Sequence, residues 1–212
     1  MANAAARSFV FAVEFSIGDP ERVRPVLERH EQSLRDLGAQ YAFVYESIVE
    51  PGKVLVVIGV RTEEPLLDLL RSPTLFQWFD AVGLDDLPAV FAGEIVERFD
   101  IGEPPTPGSE IVVVAVTPVA EVESFLDRVR GSLGEFARAG IRRTLVYRAF
   151  DTPREVLFLQ QLASATNALT WVERPAVAES WLADAGVGAY PSVFVGCFVS
   201  AMRLAQTGTD LH

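Results

Sequence analysis

Apolar and polar residues alternate along eight short stretches of the chain, and this two-residue period predicts eight strands. In Ser8–Phe15, for example, four apolar residues alternate with a second series that ends in Glu14, so successive side chains point to opposite faces of a sheet. The same pattern, bounded by turn residues, occurs in seven further segments: Tyr41–Val49, Val54–Arg61, Val90–Phe99, Ile111–Thr117, Arg142–Phe150, Glu155–Leu162 and Ser192–Met202.

Segments with helical spacing separate these strands. Asp19 and Pro20 are typical of a helix start, because an aspartate caps the first turn and a proline fits it. Apolar residues then recur three and four positions apart until Gly38 ends the helix. A second long helix is predicted over Val119–Ala139. Shorter helical segments precede the fourth and eighth strands: Glu63–Leu70, Thr74–Val82, Ala165–Trp171 and Ala176–Ala183.

An internal repeat relates the two series of elements. Gly38 and Gly140 lie 102 residues apart, and Trp78 and Trp181 lie 103 residues apart. The second offset also places segment 88–93 on segment 191–196, and similarity that keeps register over so many elements indicates a duplication. We therefore predict two βαββαβ units, residues 1–102 and 110–212, joined by the proline-rich linker 103–109.

Each predicted sheet needs a cover on the face that its own helices leave bare. Both faces of the second strand are apolar, with Ala42 and Val44 on one face and Phe43 and Tyr45 on the other. The other unit is the obvious cover. We predict an α+β fold in which two ferredoxin-like units pack sheet to sheet, with the last strand of each reaching towards the second strand of the other. Whether this internal pseudo-dimer forms a further homo-oligomer is left open.

This arrangement resembles the dimeric α/β-barrel superfamily, which includes the antibiotic-biosynthesis-monooxygenase-like proteins. The segment 71–78 is similar to the second helix of those proteins in its aromatic spacing. The resemblance implies an intramolecular dimeric α/β barrel and a superfamily that spans oxygenases, isomerases and haem enzymes. In the haem-degrading branch Trp78 would match a helix tryptophan, but the axial histidine after it and the asparagine on the first strand are missing. We therefore expect no haem and no other cofactor.

Composition excludes several classes of partner. The 212 residues carry a formal net charge of −11, so neither a nucleic acid nor an anionic membrane is an expected partner. Cys197 is the only cysteine, which rules out an internal disulfide. The stretch 1–7 has no apolar core of a secretion signal, and no apolar run approaches a membrane span. We expect a cytoplasmic protein.

Few residues carry candidate chemistry, and no phosphate loop, zinc-spaced set or nucleophile elbow occurs. His30 falls on the apolar stripe of the first helix, where it is either a general base or a structural histidine. Three glutamates sit within strands and have unlike counterparts in the second unit: Glu14 against Val116, Glu46 against Arg148, and Glu94 against Cys197. Such asymmetry is expected of a duplicate that keeps one working pocket.

Matched aromatic residues are the other candidates. Tyr45 and Tyr147 occupy equivalent strand positions, and Trp78 and Trp181 equivalent helix positions. They either clamp a flat ligand or fill the core. Glu46 and Arg148 are expected either to pair across the two units or to face solvent.

Three hypotheses follow for function. The first is the binding of a small apolar or aromatic molecule in the barrel, and its candidate ligand-binding residues are Glu14, Tyr45, Trp78, Glu94, Tyr147, Arg148 and Trp181. The second is a cofactor-independent monooxygenase or isomerase, with His30 or Glu46 as the base and no metal. The third is a structural or assembly role, which a fully packed barrel would favour.

Overall fold

The structure is a computed structural model that describes residues 7–62, 80, 88–103, 106, 108–173 and 192–204, without the side chains of Arg7 and Thr62. All eight predicted strands are confirmed, with ends that shift by at most two residues. Their bounds are β1 Arg7–Ser16, β2 Ala39–Ser47, β3 Lys53–Thr62, β4 Ala89–Asp100, β5 Ile111–Pro118, β6 Ile141–Ala149, β7 Glu155–Leu162 and β8 Val193–Arg203.

The helices differ between the two halves. The first half has a short 3₁₀ turn, Pro20–Arg22, followed by α1 (Val23–Arg29) and α2 (Glu31–Asp36). The predicted single helix is therefore wrong, because the chain leaves helical geometry at His30, where φ is −100° and ψ is 12°.

In the second half α3 (Val122–Ala139) is unbroken, and Gly140 ends it at a φ of 86°, a conformation that glycine adopts without strain. It is followed by α4 (Ala165–Val172), one residue longer than predicted. The helical segments predicted over 63–70, 74–82 and 176–183 lie outside the described residues, apart from Asp80.

The strands form one closed antiparallel barrel in the order β1-β3-β2-β8-β5-β7-β6-β4. Within each half the order is that of a ferredoxin-like sheet, and two seams join the halves. At one seam β2 pairs with β8, and at the other β4 pairs with β6. The last strand of each half thus pairs with the second strand of the other, as predicted. The α+β barrel of two ferredoxin-like sheets is confirmed.

Three apolar clusters follow from the alternation of side chains along the strands. One lies inside the barrel and draws on both halves, with Val10, Leu55, Val112 and Leu157 among its members. The other two lie on the outer face of each sheet, one under α1 and α2 and the other under α3 and α4. Each half therefore covers the inner face of the other.

Two equivalent glycines allow the seams to close. A Cβ on Gly93 would lie 2.4 Å from the Arg148 carbonyl oxygen and 2.7 Å from the Phe91 ring. A Cβ on Gly196 would lie 2.4 Å from the Phe194 ring and 2.8 Å from the Glu46 carbonyl oxygen. At both seams a phenylalanine ring thus lies over the glycine two residues further along its own strand, and the neighbouring backbone approaches too closely for a side chain.

Among the segments that the structure describes, no helix is both long enough and apolar enough to cross a membrane.

Candidate functional site

The side chains on the inner face of the barrel are buried near its middle and more exposed towards one end. Val10 and Val112, near its middle, are 1% and 0% exposed. Strands β1, β2, β5 and β6 begin at one end of the barrel, where the other four strands finish. We call this the tyrosine end. Ile95, which faces inwards close to it, is 45% exposed, so the packed interior opens towards solvent there.

Four aromatic rings line the inside of the barrel from its middle to the tyrosine end. Phe43 lies between Tyr41 and Tyr45 along β2, with ring centroids 4.9 Å and 6.5 Å away. From β8, Phe198 approaches Phe43 at 6.5 Å and meets Tyr45 edge-on at 6.1 Å. These separations are typical of favourable ring contacts. The Tyr41 ring lies directly over Gly59 of β3, where a Cβ would come within 2.2 Å of it.

A cavity of about 410 Å³ opens beside these rings at the tyrosine end. We call it the inner cavity, and its volume is in the range of small-molecule sites. Tyr41, Phe43 and Phe198 form its aromatic wall, and Glu110 and Arg203 are its charged residues. The other lining residues are Gln40, Gly108, Ala201 and Leu204.

The three tyrosine hydroxyls at this end stay protonated at neutral pH. Burial raises the pKa of Tyr41, Tyr45 and Tyr147, and the negative charge of Glu110 adds to the rise at Tyr45. Because a raised pKa keeps a phenol neutral, these groups act as hydrogen-bond donors rather than bases. Within the described part of the chain none of them is hydrogen-bonded to a protein group. Of the three residues Tyr41 lines the inner cavity, so its hydroxyl can donate to an acceptor on a ligand there.

A small ionic network lies on the opposite side of the tyrosine end. Asp100 accepts hydrogen bonds from Arg98 Nε at 2.8 Å and from Arg143 Nε at 2.6 Å. Both arginines hold the pKa of the Asp100 carboxyl below its usual range. Arg143 also donates to the Gln161 side chain at 3.4 Å.

A second cavity, of about 450 Å³, lies outside the barrel between α1 and the β2–β8 seam. We call it the outer cavity. Leu27, Val44 and Met202 are among its apolar residues, but it has no aromatic residue. Its charged rim is partly neutralised, since Arg24 and Glu28 pair with each other at 2.8 Å. It is a less specific site for a flat ligand than the inner cavity.

The candidate site residues identified from the sequence lie in several different parts of the fold. Tyr45 and Tyr147 lie together inside the barrel, 4% and 7% exposed. Glu14 shares the inner face but lies at the other end, where its carboxylate is 3.1 Å from Lys53 Nζ. His30 lies in the outer helical layer and lines neither of the two cavities. Trp78 and Trp181 lie outside the described residues.

Of the two alternatives for Glu46 and Arg148, pairing with each other does not occur, because the two residues lie at different seams. Arg148 lies directly opposite Glu94 across the β4–β6 seam and forms an ion pair with it, whereas Glu46 lies opposite Cys197 across the β2–β8 seam. Glu46, Glu94 and Arg148 all face outwards, on the side of the sheet away from the inner cavity. The asymmetric residues therefore distinguish the two seams and do not share one pocket.

Sequence reasoning missed the residues that line the inner cavity. A signal for them was available, because the two halves differ at the strand ends: Tyr41, Gly59 and Arg203 are equivalent to Arg143, Gln161 and Asp100. These differences between the two halves make one side of the tyrosine end aromatic and the other side ionic. Among the described residues, no group of three or more His, Cys, Asp or Glu side chains is arranged to hold a metal ion.

Solved structures of low sequence identity share this fold. The chain aligns over its whole length with 99% of an anthrone oxidase-like protein, at a TM-score of 0.68 and 14% identity. It aligns over 93% of its length with 97% of a putative monooxygenase from Lactobacillus acidophilus, at a TM-score of 0.58 and 11% identity. A third match is a ferredoxin-fold protein from Listeria monocytogenes that is related to antibiotic biosynthesis monooxygenases. The alignment covers 93% of this chain and 97% of that protein, at a TM-score of 0.51 and 9% identity.

These likenesses confirm the dimeric α/β-barrel resemblance at the level of the fold. No protein-family model matches the chain, and no curated protein matches it.

Proposed function

We propose that the protein binds a small, flat, largely apolar molecule in the inner cavity at the tyrosine end of the barrel. The observation that carries this proposal is an opening of about 410 Å³ walled by Tyr41, Phe43 and Phe198, at one end of a barrel whose described interior residues are buried near its middle. Aromatic walls favour a flat ligand, because ring faces and edges give contact area at little entropic cost. As part of the same proposal we place the protein in the cytoplasm, since Cys197 requires no oxidising compartment.

The polar groups near the inner cavity indicate how a ligand would be oriented. The hydroxyls of Tyr41, Tyr45 and Tyr147 are donors without protein acceptors in the described chain. Tyr41 is the one of the three that lines the cavity, so a ligand that carries a carbonyl, ether or hydroxyl oxygen would accept from its hydroxyl and be held in one orientation. The proposed ligand therefore combines an aromatic or apolar body with at least one oxygen acceptor.

Titration with N-phenylnaphthylamine, an uncharged fluorescent aromatic probe, tests this proposal. We expect saturable binding to one site, and we expect Phe198→Ala to weaken it by about tenfold or more, because the variant removes one aromatic wall. Phe150→Ala is the matched control, since Phe150 is 40% exposed and lines neither the inner nor the outer cavity. A melting curve for each variant checks that it is folded, and Phe198→Leu replaces Phe198→Ala if that variant is not.

Two results of the titration would contradict the proposal. The first is the absence of saturable binding by the wild type. The second is equal affinity in the wild type, Phe198→Ala and Phe198→Leu, which would place the probe elsewhere.

A cofactor-independent oxygenase or isomerase is the second candidate, and one observation favours it. Glu110 is the only carboxylate that lines the inner cavity among the described residues, and it lies close enough to Tyr45 to affect the pKa of that hydroxyl. A carboxylate beside an aromatic pocket is suited to take a proton from a bound ligand. Turnover of quinols or polyketide-type compounds by the wild type and by Glu110→Gln tests this, and equal rates would exclude Glu110 as the base.

A further inference from the structure

The tyrosine end carries an excess of positive charge. Four arginines occupy inward-facing strand positions there: Arg61, Arg98, Arg143 and Arg203. Asp100 and Glu110 are the acids at the same positions in the described chain. Four cations against two anions contrast with the whole chain, whose formal net charge is −11.

The two acids compensate only part of this positive charge. Asp100 is shared between Arg98 and Arg143, so this trio keeps one net positive charge. The carboxylate of Glu110 accepts a hydrogen bond from the backbone N–H of Gly108 at 2.8 Å. The exposed guanidinium of Arg203, which lines both the inner and the outer cavity, has no ion pair or hydrogen bond with any other residue that the structure describes. An arginine that lines a cavity without a partner favours an anionic group there.

The other end of the barrel has the opposite balance. Lys53 lies there between Glu14 at 3.1 Å and Glu50 at 3.0 Å, so two carboxylates surround one ammonium group. The excess of arginines is therefore a local property of the tyrosine end. In a protein with a negative net charge, such a local excess attracts anions to this end.

We propose that the ligand of the inner cavity is an amphipathic anion. This inference rests on the function proposed above and adds the charge of the ligand. Its flat apolar body lies against Tyr41, Phe43 and Phe198, while a single negative group, such as a carboxylate, phenolate or sulfonate, lies at the mouth beside Arg203. The trio of Arg98, Asp100 and Arg143 adds a positive potential across the mouth, which orients the ligand with its charged end outwards.

A pair of probes that differ by one charge tests this inference. Anilinonaphthalene sulfonate is the anionic counterpart of N-phenylnaphthylamine, with a closely similar ring system. We expect the wild type to bind the sulfonate about threefold to fivefold more tightly than the neutral probe at low salt, as is typical of one partly exposed ion pair. Adding about 0.5 M NaCl should remove most of this preference, because salt screens exposed charges.

Two arginine variants test whether Arg203 supplies this preference. Arg203→Gln should weaken sulfonate binding by about threefold to fivefold and leave the affinity for the neutral probe within about twofold. Arg154→Gln is the matched control, because Arg154 is an exposed arginine in the β6–β7 turn at the other end of the barrel. It changes the net charge by the same amount and should alter neither affinity.

Other results would overturn either this inference alone or the proposed function as well. If the neutral probe binds as tightly as the sulfonate, or if Arg203→Gln affects both probes equally or neither, the ligand is not selected for negative charge and the inference is overturned while the proposed function stands. If neither probe binds, the proposed function fails and the inference fails with it.

Discussion

Replacing Gly93 by alanine is expected to lower the free energy of unfolding by about 3 kcal/mol. The new Cβ would lie 2.4 Å from the Arg148 carbonyl oxygen and 2.7 Å from the Phe91 ring. The ring can rotate away only into the packed interior, and the carbonyl belongs to β6, so the β4–β6 seam itself has to move. For a chain of this length the expected fall in Tm is about 6–12 °C. Thermal and urea unfolding measure it.

Helix α3 offers the matched control for this substitution. Gly131 is exposed in the middle of α3, and a Cβ there would meet nothing within 4 Å. Gly131→Ala should therefore raise the free energy of unfolding by about 0.5–1 kcal/mol, because alanine favours the helix. A Gly93→Ala variant as stable as the wild type would contradict the close approach of Phe91 and β6 at this seam.

Separating the chain within the predicted linker 103–109 is the second change with a large expected effect. Each half alone would expose an inner sheet face that the structure buries, including Val10, Leu55 and Phe91 in the first half. We expect residues 1–102 and 103–212 to be poorly soluble or unfolded when expressed alone, and to form a folded one-to-one complex when expressed together. Size-exclusion chromatography and circular dichroism measure both outcomes.

The seam residues explain why a first half should pair with a second half rather than with another copy of itself. If two first halves paired in the same register, Glu94 would lie opposite Glu46, and like charges directly across a strand pair are destabilising. If two second halves paired, Arg148 would lie opposite Cys197 and lose its carboxylate partner. In the mixed complex Arg148 meets Glu94, as in the intact chain. A first half that is stable as a soluble monomer would contradict this account of the barrel.

The fold was predictable from the sequence because its signals are local and repeated. Alternation along β1 and β7 marked the strands, and the offset between Gly38 and Gly140 marked the two units. A sheet that is apolar on both faces requires a cover, so the pairing across the seams followed as well. The break at His30 was not predictable, since the apolar spacing of Val26, Leu27 and Leu34 continues across it.

The candidate site was less predictable, because it depends on register and on which end of the barrel opens. Tyr45 and Tyr147 were identified from their repeat positions, and both lie inside the barrel. For Glu46 and Arg148, pairing with each other was one of two open alternatives, because they are equivalent residues. Equivalent residues at a seam, however, each meet the other half's last strand, so their partners are Cys197 and Glu94. Strand alternation also does not tell which positions near a strand end still face inwards after a bulge, as at Arg98 and Arg203.

A crystal structure of the protein with N-phenylnaphthylamine tests the central claim most directly. We expect the ring system of the probe to lie in the inner cavity, in contact with Tyr41, Phe43 and Phe198. Probe density in the outer cavity, between α1 and the β2–β8 seam, with the inner cavity unchanged, would contradict it.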